Sequence, residues 1–336
     1  MERPPNPKVQ ITGLLSAAGS IVCASTLFGF AGKFWWVFDL FSHFRVQYFL
    51  AITVILALLL IARKYRTCTA FGLCAAINLV CLLPYYLPAD NPAIENSDTL
   101  RAISINVNTA NRSYDSVKRF ISENNPDFLL LMEVNSDWIN ALRPIESLYP
   151  YHRYESREDN FGIALYSKLP FSKCEITYLG DAGVPSVAGE FQIGDERLTL
   201  LGTHPLPPIN QEYSRLRNNQ VDAIAKYLSS VSGPNMLLGD LNMSPWSYHF
   251  YRLLNETALR DSSRGRGLYF TWPANQLLLR IPIDVCLVSE EIGIKNRIVG
   301  PDVGSDHFPL IVDFSVSKQM GRTATARPVS LEDGGY

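Results

Sequence analysis

The first 90 residues contain three long stretches with no charged side chain: Ile11 to Ala31, Val46 to Ala62 and Cys68 to Leu87. Each reaches or approaches the roughly 20 residues a helix needs to cross a hydrocarbon core about 30 Å thick. A buried helical core would not call for three such stretches joined by short links. A cleaved signal peptide is disfavoured, because no small-residue cleavage site closes the first stretch and two more follow it. The reading is a membrane anchor with three transmembrane helices, at about 11–31, 46–62 and 68–87. It accounts for a composition of 47% apolar and only 18% charged residues.

The flanks of these stretches set the orientation. Arg3 and Lys8 precede the first, and Arg63, Lys64 and Arg66 lie between the second and third. The other link offers only Lys33 and Arg45, offset by Asp39. The positive-inside rule puts the N-terminus and the Arg63–Arg66 loop in the cytoplasm. Three spans then leave everything after Leu87 outside a bacterial cytoplasmic (inner) membrane, in the periplasm or extracellular. Trp35, Trp36, Tyr85 and Tyr86 suit interfacial belts at the outer span ends.

The rest of the chain is polar. Residues 91–97 read as a linker, 98–317 as one folded domain, and 318–336, without an apolar period, as a disordered tail. Within the domain, strand patterns are expected at 100–107, 128–132, 161–167, 175–179, 189–193, 198–202, 235–238, 283–288 and 308–316. Helical periods are expected at 113–123, at 137–147 with Pro144 interrupting, at 212–228 and at 248–253. Two facing sheets covered by helices would bury so many strands. A single doubly wound sheet would also do so, and periodicity does not choose between them. Cys174 and Cys286 lie in or beside strands and read as buried free thiols rather than a disulfide.

Polar residues recur at the ends of the apolar runs. Asn106 follows the first strand, and Glu133 ends Phe128-Leu129-Leu130-Leu131-Met132. A carboxylate there is costly without a partner, and a hard divalent ion suits it. His204 closes another run, and a histidine moves protons near neutral pH. Asp240 and Asn242 form Gly-Asp-Leu-Asn after a buried strand; in extended chain both point the same way. Asp284 lies inside an apolar run, where an imidazole would be a natural partner. Asp306 and His307 adjoin the last strand. Taken singly, each has an ordinary explanation: a turn asparagine, a solvated strand end or a satisfied core histidine. His43, His152 and His249 read as structural or surface residues.

In this order, Asn106, Glu133, His204, Gly239-Asp240-Leu241-Asn242, Asp284 and Ser305-Asp306-His307 resemble the endonuclease/exonuclease/phosphatase superfamily over Leu100 to Phe314. The resemblance implies an α/β fold, a four-layer α/β sandwich of two mixed β-sheets flanked by helices, and Mg²⁺-dependent phosphodiester or phosphate hydrolysis, with Mn²⁺ as the alternative ion. It implies that Glu133 binds the metal with Asn106 and Asp306, and that Asp240 prepares the attacking water. Asn242 would steady the phosphoryl group, His307 would stabilise its charge with Asp284 orienting the ring, and His204 would serve the leaving oxygen. Asn108 stands where the apurinic-site enzymes usually carry an acid, which implies a poorer second metal position. The anchor resembles that of a bacterial subgroup including a small teicoplanin-resistance membrane protein.

Charge bears on the substrate. Residues 98–318 hold 21 basic and 26 acidic side chains, a net of −5, which disfavours unspecific DNA binding. Arg215, Arg217, Arg264, Arg266 and Arg280 are the arginines that could still line a local basic cleft. The anchor favours a partner in the lipid bilayer: a phospholipid, or a polyprenyl or other lipid-linked (pyro)phosphate. An extracytoplasmic endonuclease or exonuclease is the alternative, and a non-catalytic phospholigand-binding domain the third reading. A transporter fits less well, since the spans hold no ionisable pair.

Overall fold

A computed structural model describes residues 11–89 and 98–316. The expected linker at 91–97, the tail at 318–336, and Arg3 and Lys8 lie outside the described residues. Four helices come first: α1 (Ile11–Phe28), α2 (Trp36–Ser42), α3 (Arg45–Ile61) and α4 (Tyr65–Leu82). Ile52, Ile55 and Leu59 of α3 pack on Phe71 and Cys74 of α4. Leu50, Val54 and Ile61 point outward, an apolar face that lipid would cover. Helix α1 and the segment Tyr65–Tyr85 are long and apolar enough to cross a membrane.

The expected second apolar stretch, 46–62, falls on α3. Helix α3 has 17 residues and reaches span length only jointly with α2, from which it bends by 64°. The bend has a polar cause. Asp39, Ser42 and His43 are buried, and Asp39 and His43 bond to residues of the polar domain. The chain therefore leaves that contact before α3 begins its apolar run.

The polar domain starts with β1 (Leu100–Asn106), α5 (Tyr114–Asn124), β2 (Phe128–Met132), α6 (Ser136–Leu142), β3 (Tyr151–Glu155) and β4 (Ile163–Ser167). It continues with β5 (Phe171–Thr177), β6 (Ser186–Ile193), β7 (Glu196–Thr203), α7 (Gln211–Ser230), β8 (Asn235–Asp240), α8 (Tyr248–Thr257), β9 (Arg260–Asp261) and β10 (Asp284–Val288). Strands β11 (Ile292–Val299) and β12 (Leu310–Val316) close it. One six-stranded sheet has the order β11-β12-β1-β2-β4-β3 and the other β5-β6-β7-β8-β10-β9. Both are mixed, because β1–β2 and β7–β8 are parallel and the other pairs antiparallel.

Strand β2 shows why its run is wholly apolar. Phe128, Leu130 and Met132 face the second sheet in the central core. Leu129 and Leu131 face the layer of α5 and α6. On the far side, Val221 and Ile224 of α7 and Phe250 of α8 cover the second sheet. The result is helix, sheet, sheet, helix, not one doubly wound sheet. The unexpected strands β3 and β11 are sheet edges whose exposed positions break the apolar pattern. Pro144 falls where α6 gives way to a 3-10 turn. Cys174 and Cys286 are free thiols.

The helices and the polar domain are bonded together. Arg217 of α7 and Asp39 of α2 pair at 2.8 Å with side chains 1% exposed. Ser247 donates to the same carboxylate at 2.8 Å, and His43 Nδ1 meets Ser244 Oγ at 2.9 Å. Trp246 Nε1 donates to the Cys81 carbonyl, and Gly265 and Gly267 donate to the carbonyls of Pro84 and Tyr85. Removing one partner of a buried pair leaves an uncompensated charge, whereas replacing both by apolar groups is often neutral. Asp39→Ala is therefore expected to destabilise the detergent-solubilised protein by about 3–5 kcal/mol, with Asp39→Leu/Arg217→Met recovering most of that loss. Thermal unfolding of the two variants beside the parent measures it.

Candidate active site

The strand pairing brings the candidate residues to one end of the two sheets. Parallel pairing of β1 with β2 aligns Asn106 with Met132, so Glu133 follows beside it. Parallel pairing of β7 with β8 sets Thr203 opposite Gly239, which puts His204 beside Asp240. Antiparallel pairing places Asp284 opposite Asp240. Strand β12 begins opposite Ser104, so Asp306 and His307 arrive next to Asn106.

Unusual backbone turns aim these side chains. Glu133, Asn242 and Asn108 have φ of 62°, 51° and 59°. Such left-handed conformations cost non-glycine residues about 1–3 kcal/mol and gather at functional sites. Gly239, at φ 145°, sits so close to the neighbouring strand that a Cβ would come within 2.0 Å of the Thr203 carbonyl oxygen.

Two polar groups result. In the first, Asn106 Nδ2 donates to Glu133 Oε1 at 2.9 Å and the Thr109 amide to Oε2 at 3.3 Å. Asn108 Nδ2 donates to Asp306 Oδ1 at 2.7 Å, and Trp272 Nε1 donates to Oδ2 at 3.1 Å. Ser305 Oγ donates to the Asn106 carbonyl at 2.7 Å, joining the two loops. Beside this group lies an open cavity of about 410 Å³, lined by Asn108, Asn275, Asp302 and Asp306.

In the second group, His307 Nδ1 and Asp284 Oδ2 lie 2.9 Å apart. Asp240 Oδ2 is 3.7 Å from His307 Nε2 and 3.6 Å from His204 Nε2. All four residues are buried. The Asn242 amide caps Asp240 Oδ1 at 2.8 Å, while its side-chain nitrogen donates to the Pro205 carbonyl.

Charge divides these residues. Burial opposes a charged His307, yet the carboxylates of Asp284, Asp240 and Asp306 outweigh it and raise the imidazole to about 9. It is cationic at neutral pH. Burial lowers His204, which is neutral there. Burial and the nearby Asp284 carboxylate raise Asp240 above the ordinary aspartate range. Burial likewise raises Glu133, and Asp306 adds to the effect.

Atoms of Asp240, Asp284 and His307 lie within 4.8 Å of one another, close enough to hold a metal. Their chemistry argues otherwise. The His307 Nδ1 atom is engaged by Asp284, and a cationic imidazole repels a cation. Glu133 and Asp306 offer a harder oxygen set with Asn106 beside them. Among the described residues neither carboxylate has a lysine or arginine partner. Two half-buried carboxylates without a cation fit a hard divalent ion.

The sequence from 103 to 307 matches the endonuclease/exonuclease/phosphatase family. The chain belongs to that family. It is thereby a hydrolase of the phosphoesterase and nuclease type, in a superfamily whose enzymes commonly use divalent metals. Solved structures share the fold at low identity. TDP2 of D. rerio, complexed with single-strand DNA product, is 15% identical with a TM-score of 0.56, covering 65% of this chain and 100% of its own. The human Nocturnin catalytic domain with bound sulfate is 16% identical with a TM-score of 0.54, covering 66% and 98%. An endonuclease/exonuclease/phosphatase from Bacteroides vulgatus is 16% identical with a TM-score of 0.54, covering 66% and 100%. No individually curated protein matches the chain.

All eight sequence-picked residues meet at this end of the family domain. Sequence reasoning did not assign Thr109 or Trp272 to the site, and it placed Arg217 in a basic cleft, not against Asp39. No local signal marks Trp272, which is 34 residues from the Asp306 it serves. The arginines do not form the basic cleft considered above. Arg215 pairs with Glu212, and Arg217 is buried against Asp39 while donating to the Asn242 carbonyl at 3.1 Å. Arg264 and Arg266 flank Gly265, which rests on the end of the helical segment. Only Arg280, bonded to the Ala274 carbonyl, stays near, because the Ala274 amide donates to the Asp306 carbonyl.

Gly239→Ala is expected to cost at least about 2 kcal/mol through its φ and the Thr203 contact. It should also depress turnover far more than stability alone explains, since Asp240 is the next residue. Denaturant melts together with kcat on a generic phosphodiester separate the two effects.

Proposed function

We propose that this family hydrolase cleaves a phosphoester of a membrane lipid, a phospholipid or a lipid-linked (pyro)phosphate, at the outer face of a bacterial cytoplasmic membrane. The observation carrying this reading is the bond chain from the apolar helices to the cleft: Asp39 to Arg217, and Arg217 to the Asn242 carbonyl. The loop after Asp240 is thus tied to the end of the anchor where α2 turns into α3. A second feature agrees. Leu277, Leu278 and Leu279 are 73, 82 and 50% exposed. The next residue, Arg280, accepts a bond from Gln47 in the first turn of α3 at 2.8 Å. Three adjacent exposed leucines beside an apolar helix are suited to the bilayer surface.

In this reading Glu133, Asp306 and Asn106 hold Mg²⁺ or Mn²⁺, which when bound would polarise the phosphoryl group and offset its charge. Asp240, anionic and capped by the Asn242 amide, orients and deprotonates the attacking water. Cationic His307, steadied by Asp284, donates to a phosphoryl oxygen and stabilises the added charge. His204 is neutral and serves the leaving oxygen as a hydrogen-bond donor. Nucleic acid ranks lower, because the cavity beside Asp306 carries Asp302 and, among the described residues, no basic side chain.

The test is hydrolysis by the full chain in lipid nanodiscs, with Mg²⁺ or Mn²⁺, of phospholipids, polyprenyl pyrophosphate, and single- and double-stranded DNA. Lipid turnover is expected to vanish with a chelator, to return with metal, and to fall by about 10²–10⁴ in Asp240→Asn. Glu133→Gln and His307→Ala should be similarly impaired. Rapid Asp240-dependent DNA cleavage without lipid turnover would refute the lipid assignment. Separately, the emission of a Leu278→Trp reporter is expected to be quenched by brominated acyl chains and protected from aqueous iodide. The opposite pattern places the leucines in water.

A further inference from the structure

Arg45 is an anomaly. It is the first residue of α3 and only 1% exposed, yet it has no carboxylate partner among the described residues. Its Nη1 donates to the Thr26 carbonyl at 2.8 Å, its guanidinium lies 4.0 Å above the Phe30 ring, and its Nε has no partner. A buried cation is costly unless an anion or a full set of hydrogen bonds accompanies it. Nearby Asp39 is already committed to Arg217 and Ser247.

Arg45 lines a cavity of about 350 Å³ where α1 ends, α3 starts and α4 ends. Arg264 lines the same cavity, and its exposed guanidinium makes no hydrogen bond or ion pair among the described residues. The loop carrying Arg264 is pinned by the bonds of Gly265 and Gly267 to the Pro84 and Tyr85 carbonyls. Tyr85, Trp246, Tyr248 and Tyr251 supply aromatic walls. Gly29 makes room: a Cβ there would approach Arg45 Nη2 to 2.7 Å. Two guanidinium groups, one of them buried, together with amphipathic rings match a phosphate bearing an apolar tail.

We infer that this cavity binds the phosphate of an anionic phospholipid headgroup between Arg45 and Arg264, apart from the catalytic cleft. The inference rests on the membrane placement proposed above but not on the lipid being the substrate. Trp246 and Tyr248 lie four and six residues beyond Asn242, so the bound headgroup would brace the loop whose Asn242 amide caps Asp240.

The test uses the full chain, delipidated in a neutral detergent, and reads thermal unfolding and native mass spectra with added phosphatidylglycerol, phosphatidylcholine or inorganic phosphate. Phosphatidylglycerol is expected to raise the unfolding midpoint by several degrees at saturation and to remain bound in the gas phase, with phosphatidylcholine much weaker. Arg264→Gln, on the exposed rim, should remove most of that shift while leaving the lipid-free midpoint unchanged. Arg45→Gln should remove it entirely. An equal, Arg264-dependent shift with inorganic phosphate would support the phosphate site while assigning it a soluble source. No shift with any ligand, or a shift preserved in Arg264→Gln, overturns the inference. None of these readouts involves turnover, so failure of the lipid-hydrolase reading would show in the activity panel and leave this result standing.

Discussion

The pairing of Arg217 with Asp39 is the constraint on which the relation between the two parts of the molecule depends. Each charge would be untenable alone in so buried a place, and each comes from a different part of the chain. The guanidinium also reaches the Asn242 carbonyl, so the contact that docks the short α2 helix also braces the loop beside Asp240. The apolar helices are therefore joined to the reaction centre by a rigid polar contact, not only by the chain that connects them.

A second constraint lies in the strand ends. Two parallel pairs, β1–β2 and β7–β8, deliver Asn106 with Glu133 and His204 with Asp240 to the same edge. The strand ends supply acids, and the arrangement separates their work. The Glu133 and Asp306 side has no lysine or arginine partner among the described residues and suits a metal. The Asp240 and Asp284 side surrounds His307 and keeps it charged. One end of the two sheets thus carries an oxygen-rich group and a charged imidazole side by side.

Much of this was legible in the sequence. The run from Phe128 to Met132 had to be a doubly covered strand, and Glu133 at its end had to find a partner. The period from Leu216 to Leu228 had to be a helix. What escaped was governed by other things. Strands β3 and β11 are edges whose solvent-facing positions interrupt the apolar pattern, so Tyr151–Glu155 and Ile292–Val299 carried little strand signal. The stretch expected at 46–62 falls on α3, and what its apolar pattern did not signal is the short α2 before it, set at 64° to α3 with Asp39, Ser42 and His43 buried. The arginines were left open as a local basic cleft because their number and spacing in sequence are blind to direction.

By itself the sequence determined the apolar N-terminal helices, the alternation of strands and helices, and the identity of the polar residues at the strand ends. Each of these follows from local hydrophobicity and chain geometry. Only the tertiary structure decided that two sheets face each other, that Trp272 serves Asp306, and that Arg217 faces Asp39 while Arg45 has no carboxylate partner among the described residues. Those relations join residues far apart in the chain, and they are set by which buried charges and faces have no alternative partner once the layers pack.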